Sequence, residues 1–182
     1  MTSKLPHRLL ILSGLAILLT LTRTSHFGTS AILPDASLAV FLLGGFLLQR
    51  SCGFAVLLAA AFGADVLSAQ TATEAGWCLT PAYVGLVPTY GVLWLAGRWL
   101  AKTRQLDFFH AAGVASLAIA LAFVISNATW YAFSGTAGNL GITDFALAVA
   151  KYFPPYLGSA MLYLVPVYLG WKITHITKGQ QA

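Results

Sequence analysis

The sequence predicts an all-α integral membrane protein: one transmembrane domain of six helices with both termini on the cytoplasmic side. Three observations carry that prediction. Of the 182 residues, 58% are hydrophobic and only 8% are charged, whereas a soluble domain carries roughly a quarter charged residues. The apolar residues fall into six runs separated by polar or glycine- and proline-containing segments. The basic residues lie almost entirely in alternate segments between those runs.

A membrane-spanning helix needs roughly 17–25 mostly apolar residues. The first run, about residues 9–22, follows Lys4 and Arg8 and is stopped by Arg23. No small-residue cleavage site ends it, so it reads as a span and not as a removable leader. The second, about 32–49, has Pro34 near its start, where proline is tolerated. Arg50-Ser51-Cys52-Gly53 reads as a tight polar turn into the third run, about 54–69. The fourth, about 81–100, opens on Pro81 and contains Pro88. The fifth, about 109–133, is long and alanine-rich, and the sixth, about 155–174, contains Pro166.

Six spans with an internal N-terminus put Lys4, Arg8, Arg50, Arg98, Lys102, Arg104, Lys172 and Lys178 on the cytoplasmic side, leaving only Arg23 and Lys151 outside. The acids divide the other way, with Asp35, Asp65, Glu74 and Asp144 toward the outside and Asp107 inside. The net charge of +5 is therefore a topology signal, not the clustered basic face of a nucleic-acid-binding protein. The two long connections, Gln70 to Thr80 and Ser134 to Pro154, are both external, which points to a site facing outward.

Asp65 stands near the outer end of the third span, in Phe62-Gly63-Ala64-Asp65. An acid within a span is costly and usually faces a partner or a cavity. It reads either as an interfacial acid that caps a helix or pairs with Lys151, or as a hydrogen-bond acceptor in an outward pocket. Cys78, in Gly76-Trp77-Cys78-Leu79-Thr80-Pro81, falls on the opposite face from Cys52, so the two cannot form an intramolecular disulfide. Cys78 is then either a small buried hydrophobe or a soft metal ligand. Paired CxxC, HExxH and intramembrane histidine motifs are missing: His7, His110 and His175 fall in cytoplasmic segments and only His26 is external. A metal at Cys78 would arrive inside an organic cofactor that brings its other ligands. Trp77, Tyr83, Tyr90, Trp130, Tyr131, Tyr152 and Tyr156 crowd the outer half, as an interfacial belt or as the wall of a planar-ligand site, and Asn127 adds a polar group in the fifth span. No nucleotide signature is present, so ATP hydrolysis is not expected of the chain.

Six spans, internal termini and long external loops on a small basic chain resemble the substrate-binding S-components of energy-coupling-factor (ECF) vitamin transporters. More narrowly, Phe62-Gly63-Ala64-Asp65 through Gly76-Trp77-Cys78-Leu79-Thr80-Pro81-Ala82-Tyr83 is similar to the proteobacterial BtuM group of solitary S-components for vitamin B12. The resemblance implies an S-component-like bundle in the bacterial inner membrane, binding cobalamin on its periplasmic face for uptake. It implies that Cys78 coordinates the cobalt from the lower axial side, displaces the dimethylbenzimidazole base and assists decyanation of cyanocobalamin. It places Asp65 and Tyr83 near the corrinoid, with Lys151 in the position of a basic residue in the last external loop, and Trp77, Tyr90, Asn127 and Tyr131 complete the expected binding set. Span one, Ser13-Gly14-Leu15-Ala16-Ile17-Leu18-Leu19-Thr20, lacks the Ala-xxx-Ala pattern that docks some S-components to an ECF energising module. The alternatives are an S-component for another vitamin with Cys78 merely buried, a membrane sensor or assembly subunit, and a thiol-redox enzyme, which usually needs two cysteines on one face.

Overall fold

The computed structural model describes residues 4–23, 33–71, 81–103, 106–135 and 140–179. Among them the chain is all-helical. Seven α-helices follow in order: α1 (Lys4–Thr22), α2 (Ser37–Leu47), α3 (Ser51–Thr71), α4 (Leu86–Leu100), α5 (Phe108–Phe133), α6 (Ile142–Ala150) and α7 (Phe153–Gly179). A 3-10 turn over Pro81–Gly85 leads into α4. Three helical stretches, Leu5–Thr22, Ser51–Ala69 and Phe108–Phe133, are long and apolar enough to cross a membrane.

Local chemistry explains the helix ends. The Asp107 carboxylate accepts a hydrogen bond from the His110 N–H at 2.9 Å, capping the start of α5. Gly135, at φ +72°, takes the left-handed conformation just beyond its C-terminus. Pro154 and Pro155 lie in the first turn of α7, where their missing N–H groups would be unpaired in any case.

Each of the six sequence-predicted runs contains a helix, with shifted limits. α2 is shorter than expected, because residues 33–36 lie outside the helix, with Ala36 as its N-cap. Ser51-Cys52-Gly53 forms the first turn of α3 and not a separate loop. The connection expected between residues 134 and 154 carries α6, which docks through Phe145: its ring lies 5.8 Å from Trp130, nearly parallel to it, and 4.8 Å from Tyr131.

α2 is the centre of the bundle. Ser37 through Gly45 is buried without a break, so no face of that segment meets solvent. Its closest partner is α4, and two glycines set their distance. A Cβ on Gly97 would come within 2.0 Å of the Leu42 carbonyl oxygen, and one on Gly45 within 2.1 Å of the Trp94 carbonyl oxygen. The two backbones therefore touch where glycine alone fits. α5 packs on α4, α7 on α2 and α5, and α1 on α2 and α3.

Candidate functional site

The polar residues of this apolar bundle gather at one end. Arg23 closes α1, Asp35 and Ser37 open α2, Asp65 lies in the last third of α3, and Tyr83 and Tyr90 stand at the start of the α4 segment. Successive helices thus contribute alternately their C-terminal and N-terminal ends, as an up-and-down bundle requires.

Arg23 organises the cluster. Its Nε and Nη2 donate to Asp65 Oδ1 and Oδ2 at 2.8 and 2.7 Å, a bidentate fork. Its Nη1 donates to Ser37 Oγ at 2.7 Å and to the Tyr90 hydroxyl, and lies 3.8 Å from Asp35 Oδ2. Only 5% of the Arg23 side chain is exposed, against 13% for Asp65 and 17% for Asp35. The cost of burying the guanidinium charge is offset by the two carboxylates and the hydroxyls that it meets.

The surrounding residues fix this geometry. Ser37 donates its N–H and its hydroxyl to Asp35 Oδ1 at 2.8 and 2.5 Å, so Asp35 is oriented by the turn that starts α2. Thr22 accepts from the Ala36 N–H at 3.0 Å, tying the end of α1 to that turn. Tyr163 of α7 donates to the Pro34 carbonyl at 2.5 Å. Tyr83 donates to Asp65 Oδ2 at 2.7 Å, and its ring stands edge-on to Phe62 at 5.6 Å. Tyr90 is buried and stacks on Phe41 at 4.1 Å with the rings 4° from parallel.

Beside the cluster opens a cavity of about 340 Å³. Arg23, Asp35, Ser37, Thr89 and Tyr90 form one side, and Ser126, Asn127, Tyr156 and Ser159 from α5 and α7 the other. Tyr152 lies among the lining residues, and Leu38, Leu86 and Phe123 supply the apolar surface. Such a site offers hydrogen-bond donors and acceptors together with aromatic faces, in the volume range of small-molecule pockets. A second cavity, of about 70 Å³, is lined by apolar and aromatic residues including Leu42, Phe46, Ala115 and Trp171.

Among the residues expected at the site, Asp65, Tyr83, Tyr90 and Asn127 belong to the cluster or to the cavity wall. Asn127 donates to the Phe123 carbonyl at 2.9 Å. Tyr131 donates to the Leu140 carbonyl at 2.8 Å and braces α6. Lys151 caps the C-terminus of α6 with its ammonium 5.0 Å from the centre of the Tyr152 ring. The ion-pair partner of Asp65 is accordingly Arg23 and not Lys151, a correction that follows from the packing of α1 against α3. Cys78 and Trp77 lie outside the described residues, and Cys52 is an exposed free thiol in the first turn of α3. Among the described residues no three His, Cys, Asp or Glu side chains gather as metal ligands.

In the sequence Arg23 read as the end of the first apolar run and as one of two external basic residues, and Ser37, Thr89 and Ser159 had no role. The available signal was the isolation of Arg23: a basic residue on the side that holds most of the acids needs an acidic partner. No family model matches the chain, and no curated protein matches it.

Proposed function

We propose that the chain is a bacterial inner-membrane protein of six spans, with both termini cytoplasmic, that binds cobalamin at its outward face for uptake. The observation that supports this reading best is the convergence of separately implicated residues. Asp65 and Tyr83 flank the segment that contains Cys78, they are hydrogen-bonded to each other, and Arg23 links them to the cavity walled by Tyr90 and Asn127. The alternation of helix ends around that cavity supports six crossings. α2 and α4 then cross together with the residues that precede their helices, since 11 and 15 helical residues fall short of a roughly 20-residue span.

In this reading the Cys78 thiolate gives a sulfur lone pair to the cobalt while the bond from cobalt to the benzimidazole nitrogen breaks. An electron-rich sulfur trans to cyanide weakens the cobalt–carbon bond, and cyanide leaves with the bonding pair. Asp65 receives two donors from Arg23 and one from Tyr83, so it acts chiefly by holding Tyr83 and the rim of the cavity in place. An ECF energising module would couple binding to transport through a surface other than an Ala-xxx-Ala face on α1. A cavity of about 340 Å³ also favours a second reading, an S-component that takes a smaller vitamin whole.

Metal analysis separates the two. Protein purified from cells grown with cobalamin should carry about one cobalt per chain and a corrinoid absorption spectrum. A cobalt-free, colourless preparation that also fails to bind added cyanocobalamin contradicts the proposal.

A further inference from the structure

The end of the bundle opposite Arg23 holds two cavities that share a wall. The apolar one, of about 70 Å³, is a cleft between α5 and α7, floored by Leu42 and Leu43 of α2. It reaches the outer surface at Phe108 and Val167, which are 40% and 39% exposed. The other, of about 300 Å³, shares Phe46, Leu100, Leu106 and Trp171 with the cleft and adds the polar side chains of Gln49 and Thr103. A narrow slot walled by carbon thus adjoins a wider polar chamber, the outline of a molecule with a hydrocarbon chain and a hydrophilic head. The charge of that head follows from the sequence around the chamber. Arg50 follows Gln49, Lys102 lies between Ala101 and Thr103, and Lys172 follows Trp171; all three are exposed. Residues 1–8, 48–53, 98–106 and 170–182, which make up this end, contain no acid, so the excess of positive charge holds wherever their side chains lie. Asp107, the acid that follows Leu106, caps α5 through the His110 N–H and is outnumbered by these cations.

We propose that the paired cavities seat an acidic phospholipid, with its phosphate in the polar chamber and the start of one acyl chain in the cleft. The inference rests on the membrane placement above and not on the corrinoid. In a bilayer the cleft gains nothing from hydrophobicity, because lipid tails are as apolar as its walls. Its contribution is shape, which fixes where the lipid sits, while the surrounding lysines and arginine select a negative head. Exposed leucines elsewhere, such as Leu117 at 72%, meet lipid with no polar chamber beside them.

The test titrates the full chain in detergent with phosphatidylglycerol, with phosphatidylcholine of the same acyl chains and with glycerol phosphate, and reads retained molecules by native mass spectrometry. A single phosphatidylglycerol should stay bound, at least about fivefold tighter than phosphatidylcholine, and glycerol phosphate should not displace it. Lys102→Gln and Lys172→Gln should each weaken phosphatidylglycerol by about threefold or more and leave phosphatidylcholine unchanged. Ala112→Phe fills the cleft and should weaken both lipids, whereas Leu117→Phe, on the outer face of α5, should weaken neither. If Ala112→Phe does not fold, the lysine variants and the headgroup comparison decide alone. Equal retention of the two lipids, displacement by glycerol phosphate, or undiminished binding in folded Ala112→Phe overturns the inference. So does the loss of a co-purifying protein, and not of lipid, in that variant, which makes the cleft a protein interface. Recovery of the chain in the soluble fraction of cells overturns the membrane placement itself, a separate result.

Discussion

Replacing Asp65 by leucine strips Arg23 of its bidentate partner, and the structure allows the cost to be worked out. Two charged hydrogen bonds of 2.8 and 2.7 Å disappear, and Tyr83 loses the acceptor of its 2.7 Å bond. Breaking a buried ion pair from one side costs about 3–5 kcal/mol, because the abandoned charge stays buried. Asp35, still 3.8 Å away, and Ser37, at 2.7 Å, retain part of the compensation for Arg23. The expected loss is therefore at the low end, about 3 kcal/mol. For a chain of this size each kcal/mol lowers the melting temperature by roughly 2–4 °C, which predicts a drop of roughly 6–12 °C. Arg23→Met should destabilise similarly, since it removes both charged hydrogen bonds from the largely buried Asp65 carboxylate. The double variant removes the pair together, and its loss should fall short of the sum of the single losses by about 2 kcal/mol. Tryptophan fluorescence during thermal unfolding in detergent, run on all four proteins, reads the cycle. Single variants within about 2 °C of wild type, or strictly additive losses, would refute the claim that this pair holds the site together.

Tyr83→Phe keeps the ring against Phe62 but removes the hydroxyl that donates to Asp65, and should lower stability by about 1.5–3 kcal/mol in the same thermal assay; a melting temperature equal to that of wild type would show that this bond holds nothing in place. Gly97→Ala forces a methyl group against the Leu42 carbonyl and should separate α2 from α4, costing about 3 kcal/mol or more; Gly91→Ala, with open space around it, should melt close to wild type in the same thermal assay. Reporter fusions after Gly76 and at the C-terminus should lie on opposite sides of the membrane, and a same-side result contradicts the six-span topology.

Hydropathy located the helices because burial in a bilayer is a property of each run by itself. It missed α6 because nine residues are too few to stand out between Gly135, Gly138 and Gly141 on one side and Pro154 on the other. It overran the start of α2, where Leu33 and Ala36 are as apolar as the helix that follows but Pro34 has no N–H to give and the Asp35 carboxylate takes the Ser37 N–H. The site was half legible. A carboxylate within a span calls for a partner or a cavity, and that singled out Asp65 while leaving capping, pairing with Lys151 and pocket lining all open. Identifying the partner required knowing that α1 packs on α3, since Arg23 and Asp65 are 42 positions apart. Positive-inside counting treats Arg23 as noise, and only the folded bundle turns that exception into the centre of the cluster.

In the cobalamin reading one sulfur bonds cobalt, and the visible spectrum of bound cyanocobalamin reads that bond directly. Wild-type protein and Cys52→Ser should both shift that spectrum on binding and release cyanide, because Cys52 lies in the first turn of α3, at the opposite end of that helix from Asp65. Cys78→Ser should lose the shift and the cyanide release while retaining weaker binding through the polar cavity. A Cys78→Ser protein that reproduces the wild-type spectrum and still releases cyanide would contradict the account.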